Sequence, residues 1–196
     1  MNLPTKITLS RILVLPVIVA LFYVRFSYHY VVAAALFSVA AMTDMIDGKL
    51  ARKRNEVTSL GKLLDPISDK ILACTTLIMI AANGDAMMFF NPPVGVIFTA
   101  IIVSREILIG AMRTVAASKG VILAADSLGK IKTIFLNVSL PIMMIAELHI
   151  SVKIIGNVVF LLAFLFTVIS GVNYVLKNKG ILSDKTQKEK REERDD

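Results

Sequence analysis

The stretch Asp44-Met45-Ile46-Asp47-Gly48-Lys49-Leu50-Ala51-Arg52, followed after eight residues by Gly61-Lys62-Leu63-Leu64-Asp65-Pro66-Ile67-Ser68-Asp69, decides how the rest of the chain is read. It sets four carboxylates on the facing ends of two apolar segments, each as long as a membrane span. A carboxylate at bilayer depth costs at least ~2.5 kcal/mol on insertion scales. Four of them demand a compensating partner, and divalent metal supplies one. Asp44 and Asp47 are three apart and share a helical stripe with Gly48 and Ala51, while Gly61, Asp65 and Asp69 stack along one line at a spacing of four. Ion pairing with Arg52, Lys62 and Lys70 accounts for one or two of the acids, but not for their spacing together with the two glycines.

The ligand chemistry narrows the ion. Hard oxygen donors suit Mg2+ or Mn2+, and two such ions balance four carboxylates. No His or Cys lies near the pattern, which argues against a dedicated zinc site. Gly48 and Gly61 clear space for a bulky ligand beside the acids. Pro66 cannot donate to the carbonyl of Lys62, so that turn has a backbone oxygen to spare.

Working outward, 56% of the 196 residues are hydrophobic, and apolar runs of about 20 residues recur, each long enough to cross ~30 Å of hydrocarbon. These runs predict helices over 7–24, 31–53, 60–82, 93–118, 128–148 and 152–176, giving an all-α membrane protein with six transmembrane helices. The first run lacks a cleavage site and reads as a retained helix. Turn signals separate the runs at Asn83-Gly84-Asp85, Asn91-Pro92-Pro93 and Ser118-Lys119-Gly120, and Asp126-Ser127 reads as a helix N-cap. Pro16 and Pro141 read as kinks. The lone Cys74 excludes an internal disulfide.

Charge fixes the expected orientation. Lys6, Arg11, Lys49, Arg52, Lys53, Arg54, Lys62, Arg113, Lys119, Lys130, Lys132 and the tail from Lys177 fall on one side, against Arg25 and Lys153 on the other. The positive-inside rule then puts both termini and the acidic corner in the cytoplasm. The +7 net charge is not a nucleic-acid footprint, because aromatics do not interleave with the basic residues. Residues 1–180 read as one six-helix transmembrane domain, and 181–196, mixed Lys, Arg, Asp and Glu, as a disordered cytoplasmic tail.

At the acidic stretch the chain resembles the CDP-alcohol phosphatidyltransferase family, whose pattern is DxxDGxxAR, seven or eight residues, then GxxxDxxxD. Every position is present here. The resemblance implies a cell-membrane enzyme that transfers a phosphatidyl group from CDP-diacylglycerol to an alcohol and releases CMP. It further implies two divalent cations held by Asp44, Asp47, Asp65 and Asp69, with Asp69 as general base, and a CDP site lined by Gly48, Ala51, Arg52 and Gly61. A homodimer is also implied. Ser104-Arg105-Glu106-Ile107-Leu108 to Arg113, Ala116 to Gly120 and Leu128 to Thr133 resemble the branch of that family that makes phosphatidylglycerol phosphate, as does the opening Asn2 to Arg11, with Thr5 at a nucleotide-site position where many members carry Asn.

Physical reading points to a phosphorylated acceptor such as glycerol 3-phosphate. Lys130 and Lys132 fall in the first turns of the fifth helix, where the macrodipole disfavours cations, so lysines and free N–H groups concentrate into an anion site. Arg105 lies ~18 Å into the fourth helix at 1.5 Å per residue, close to the depth of Asp44, and Arg113 lies two turns nearer the cytoplasm. The plainer reading is a local Arg105–Glu106 pair and a snorkelling Arg113. Other acceptors (inositol phosphate, serine, phosphatidylglycerol), a divalent-cation transporter and a non-catalytic lipid-binding scaffold are the competing readings. His29, His149, Asp85 and Glu147 belong to the outer side, and Met87, Met88, Phe89 and Phe90 read as packing or lipid-facing.

Overall fold

The computed structural model describes residues 3–24, 26–54, 59–84, 92–118, 121, 123 and 127–182, with side chains described for these except 3–9, 44–54, 59–66, 69, 92 and 179–182. The described residues form six long helices and no strand: α1 (Leu3–Leu21), α2 (His29–Arg54), α3 (Ser59–Asn83), α4 (Pro92–Ser118), α5 (Ser127–Met144) and α6 (Ile150–Leu182), with one 3-10 turn at Ala146–Leu148.

Where these helices differ from the sequence expectation, local chemistry explains it. α1 starts at Leu3 rather than 7, because Pro4 falls in the first turn, where its missing N–H costs nothing. The expected run 128–148 stops at Met144, and the chain turns through Ala146–Leu148. Extended His149 (φ −159°) then accepts from the Ser151 amide at 3.2 Å, capping α6. α6 runs to Leu182 instead of 176, since hydropathy marks where the apolar run ends and not where helical residues end. Gly84, at φ 53°, closes α3 in the left-handed conformation that the Asn83-Gly84 signal implied. Pro16 and Pro141 remain inside α1 and α5.

Polarity is arranged with the apolar side outward. Exposed residues on α6 include Ile155, Val158, Leu165, Ile169, Val172 and Leu176, whereas Asn157, Thr167 and Ser170 are buried. The buried hydroxyls on α5 and α6 bond within their own helices, Thr167 donating to the Ala163 carbonyl at 2.6 Å and Ser139 to that of Leu136 at 2.9 Å. Pro93–Ser118 and Ile150–Asn178 are each long and apolar enough to cross a membrane, and Ser10–Leu21, His29–Thr43 and Lys70–Asn83 are shorter apolar stretches.

The core joins Ile18, Phe22, Phe37, Leu77, Ile80, Ile102, Leu140, Met143 and Phe160 across all six helices. α5 and α6 make the most extensive contact. They cross at Gly156, where a Cβ would meet Ile142 Cγ2 and Met143 Cγ at 3.2 Å and the Met143 amide nitrogen at 3.4 Å. A residue without a side chain is what admits that approach. Phe98 stacks on Phe164, Arg105 meets Ser170 and Arg113 meets Tyr174, so α4 and α6 run in the same direction, as alternate helices of an up-and-down bundle must.

Candidate active site

One contact locates the acidic stretch within the bundle. The Tyr30 hydroxyl donates to Asn83 Oδ1 at 3.4 Å, tying the start of α2 to the end of α3. Asp44 lies fourteen residues along α2 from Tyr30, and Asp69 fourteen residues back along α3 from Asn83. At 1.5 Å per residue both backbones stand ~21 Å from that clasp, at one level. The side chains of Asp44, Asp47, Asp65 and Asp69, and of Thr5, Arg52 and Ala51 with the sites of Gly48 and Gly61, lie outside those described. Among the described residues no three His, Cys, Asp or Glu side chains gather as a metal site.

Beside that level, α4, α5 and α6 build a cluster around Glu106. Its Oε1 accepts from Arg105 Nη1 at 2.9 Å and from Lys132 Nζ. Arg105 Nη2 donates to Ser170 Oγ at 2.9 Å, which fastens α4 to α6. Lys70, the residue after Asp69, donates from Nζ to the Glu106 carbonyl at 3.4 Å. That contact passes over Gly110, where a Cβ would stand 3.1 Å from Nζ. Glu106 and Lys132 are buried, and the Arg105 side chain is only 12% exposed. A buried carboxylate is stable only when paired, so the cations hold Glu106 as much as it holds them.

The count of charges is the informative quantity. Lys70, Arg105 and Lys132 face one carboxylate among the described side chains. Among the described residues, Arg105 Nε is buried with no acceptor. A guanidinium offers five donors and an ammonium three, and most of these remain beyond the bonds to Glu106 and Ser170. Among the described side chains the cluster thus carries more cationic donors than acceptors.

Of the residues the sequence nominated for an acceptor phosphate, the structure brings Arg105 and Lys132 together and leaves Lys130 exposed on α5. Positions two apart on a helix point ~200° from each other. Arg113 is exposed, with Nε donating to the Tyr174 hydroxyl at 3.2 Å and its guanidinium carbon 5.4 Å from that ring. The plainer reading is thus present too: Arg105 does pair with Glu106, without exhausting its donors. Lys70, Ser170, Gly171 and Tyr174 were not foreseen as part of this cluster. Ser170 repeats the small-residue spacing Gly156, Ala163, Ser170 at intervals of seven, a signal the sequence carried. On the far side His29 Nδ1 lies 2.8 Å from the Leu21 carbonyl and His149 caps α6, both structural tasks; Asp85 and Met87–Phe90 lie outside the described residues.

Fold and site together define an all-helical membrane protein whose charged groups face one another inside the bundle. The chain belongs to the CDP-alcohol phosphatidyltransferase family, whose model matches residues 1–169. A Rickettsia typhi protein named CDP-diacylglycerol–glycerol-3-phosphate 3-phosphatidyltransferase is 35% identical over 177 residues, 88% of this chain and 94% of that one. A Salmonella typhimurium protein of the same name is 32% identical over 185 residues, 93% of this chain and 98% of its own length.

Proposed function

We propose that this chain transfers the phosphatidyl group from CDP-diacylglycerol to sn-glycerol 3-phosphate, giving phosphatidylglycerol phosphate and CMP in phospholipid biosynthesis. One observation carries the reading beyond the family: Lys70, next to Asp69, is bonded onto α4 at Glu106, which sets a cation-rich cluster beside the level of the acidic pattern. A phosphorylated acceptor needs that juxtaposition. Relatives named for the same reaction support the choice of acceptor.

The donor set fits a metal centre, being four carboxylates on two helices at a matched level with no His or Cys in the pattern. Asp44, Asp47, Asp65 and Asp69 would hold two divalent cations, Mg2+ or Mn2+, which when bound neutralise the pyrophosphate and the charge released on CMP. Thr5, Gly48, Ala51, Arg52 and Gly61 line the nucleotide site. Arg105 and Lys132, with Arg113 towards the cytoplasm, hold the acceptor phosphate, and exposed Lys130 adds attraction from the rim. The free primary hydroxyl of the acceptor attacks the phosphatidyl phosphorus. The new P–O bond forms as the bond to the CMP oxygen breaks, and the hydroxyl proton passes to the Asp69 carboxylate. No covalent enzyme intermediate is needed.

The same reading includes six membrane spans with both termini cytoplasmic, a catalytic domain over 1–180, a solvated tail over 181–196 and a homodimer. The outward apolar faces of α4 and α6 support the spans, and the Lys/Arg asymmetry supports the orientation. Detergent-purified protein should release CMP from CDP-diacylglycerol only with Mg2+ or Mn2+ and glycerol 3-phosphate together. Equal release with serine, inositol phosphate or phosphatidylglycerol would sink the acceptor assignment.

A further inference from the structure

Glu106 is the residue that the proposed chemistry does not use. It carries a negative charge into a site meant for a phosphate, and on charge alone it should weaken acceptor binding. Its geometry says otherwise. One oxygen, Oε1, receives both Arg105 Nη1 and Lys132 Nζ, from α4 and α5 respectively, while Ser170 on α6 takes Arg105 Nη2. The Arg105 stem lies along α6 at Gly171, where a Cβ would come within 3.1 Å of Cγ. Two flexible cations are thereby fixed at a set separation. Without Glu106 they would repel each other in a medium of low dielectric and lose the oxygen that spaces them.

We infer that Glu106 and Ser170 are positioning residues that hold Arg105 and Lys132 in register to grip the acceptor's phosphate. The inference rests on the acceptor site proposed above. Each anchor uses one donor of Arg105, and among the described residues three of the five guanidinium donors have no acceptor, nor do two on Lys132. The fork is therefore pre-arranged before ligand arrives, so little rotamer entropy is lost on binding.

The test is steady-state CMP release by the full chain in detergent, with glycerol 3-phosphate varied at saturating CDP-diacylglycerol and then the reverse. Positioning predicts that Glu106→Gln raises KM for glycerol 3-phosphate about tenfold, Glu106→Ala further, and Ser170→Ala about threefold, from the usual worth of charged and neutral hydrogen bonds. KM for CDP-diacylglycerol and kcat at saturating acceptor should stay within about twofold, on the same hydrogen-bond scale. A purely electrostatic Glu106 gives the opposite sign, because removing a carboxylate beside a phosphate lowers KM. A lowered or unchanged KM in Glu106→Gln, or a loss confined to kcat, overturns the inference. Arg105→Ala separates the two layers: if it raises KM while Glu106→Gln does not, only positioning fails, and if it leaves KM unchanged, the acceptor site falls and positioning with it. Should Glu106→Ala fail to fold, the near-isosteric Glu106→Gln and Ser170→Ala carry the test.

Discussion

Replacing Gly171 by alanine puts a methyl group in place of a hydrogen on α6, its carbon 3.1 Å from Arg105 Cγ, 3.5 Å from Nε and 3.9 Å from Cδ. The last two are ordinary van der Waals contacts. The first is short by about 0.3 Å against a normal carbon–carbon approach. A free arginine would swing away at little cost. Arg105 is held at both ends of its guanidinium, by Glu106 and by Ser170 at 2.9 Å each, so the stem cannot move without lengthening one of those bonds. A few tenths of an ångström spread over two charged hydrogen bonds costs about 1 kcal/mol. That corresponds to about a fivefold rise in KM for glycerol 3-phosphate. Valine at the same position should add another step. Initial rates of CMP release, with acceptor varied, measure it, and thermal unfolding of the same samples shows whether the fold is intact. Gly171→Ala and Gly171→Val that both keep the wild-type KM would refute the placement of the Arg105 stem against α6.

Asp69→Asn keeps the size of the proposed base while removing its proton affinity, and CMP release should fall by about 10²-fold or more, read in a discontinuous assay at saturating substrates. Activity equal to wild type would remove Asp69 from that role. Gly156→Ala pushes a methyl against Ile142, Met143 and the α5 backbone. The overpacking of about 1–3 kcal/mol outweighs the gain of about 1 kcal/mol in helix propensity, so the melting temperature in detergent should drop by about 2–4 °C. Ile142→Ala in the same chain should recover part of the loss, and strict additivity of the two substitutions would argue against the close crossing.

The helices were legible because apolar runs separated by Gly, Pro and Asn turns leave few alternatives. Their ends were less so, as α6 shows: Lys177 and Asn178 look like a loop to a hydropathy window, yet Asn178 Nδ2 donates to the Tyr174 carbonyl at 2.8 Å inside the helix. Arg105 could be nominated because a cation at depth is conspicuous in an apolar segment, and Lys132 because a cation in the first turns of a helix opposes the macrodipole. Lys130 could not be told from Lys132, since which lysine faces inward depends on where α5 packs. In the sequence Lys70 offers only a rejected pairing with the neighbouring acids, and its bond reaches across to α4. Ser170 and Gly171 carry no charge and sit in an apolar run. The spacing of Gly156, Ala163 and Ser170 marks a close-packing line on α6, but which helix lies against it emerges only when α6 is laid beside α4.

The distribution of charge over the helices has an evolutionary corollary. The acidic pattern is confined to α2 and α3, whereas the cations paired around Glu106 and their anchors, Lys70 apart, belong to α4, α5 and α6. Substitutions that retune the anion pocket can therefore accumulate on one half of the bundle while the carboxylate-bearing half is inherited intact. Lys70 is the rivet between the halves, and a lineage that exchanged one headgroup for another would have to keep it or replace it with something of equal reach.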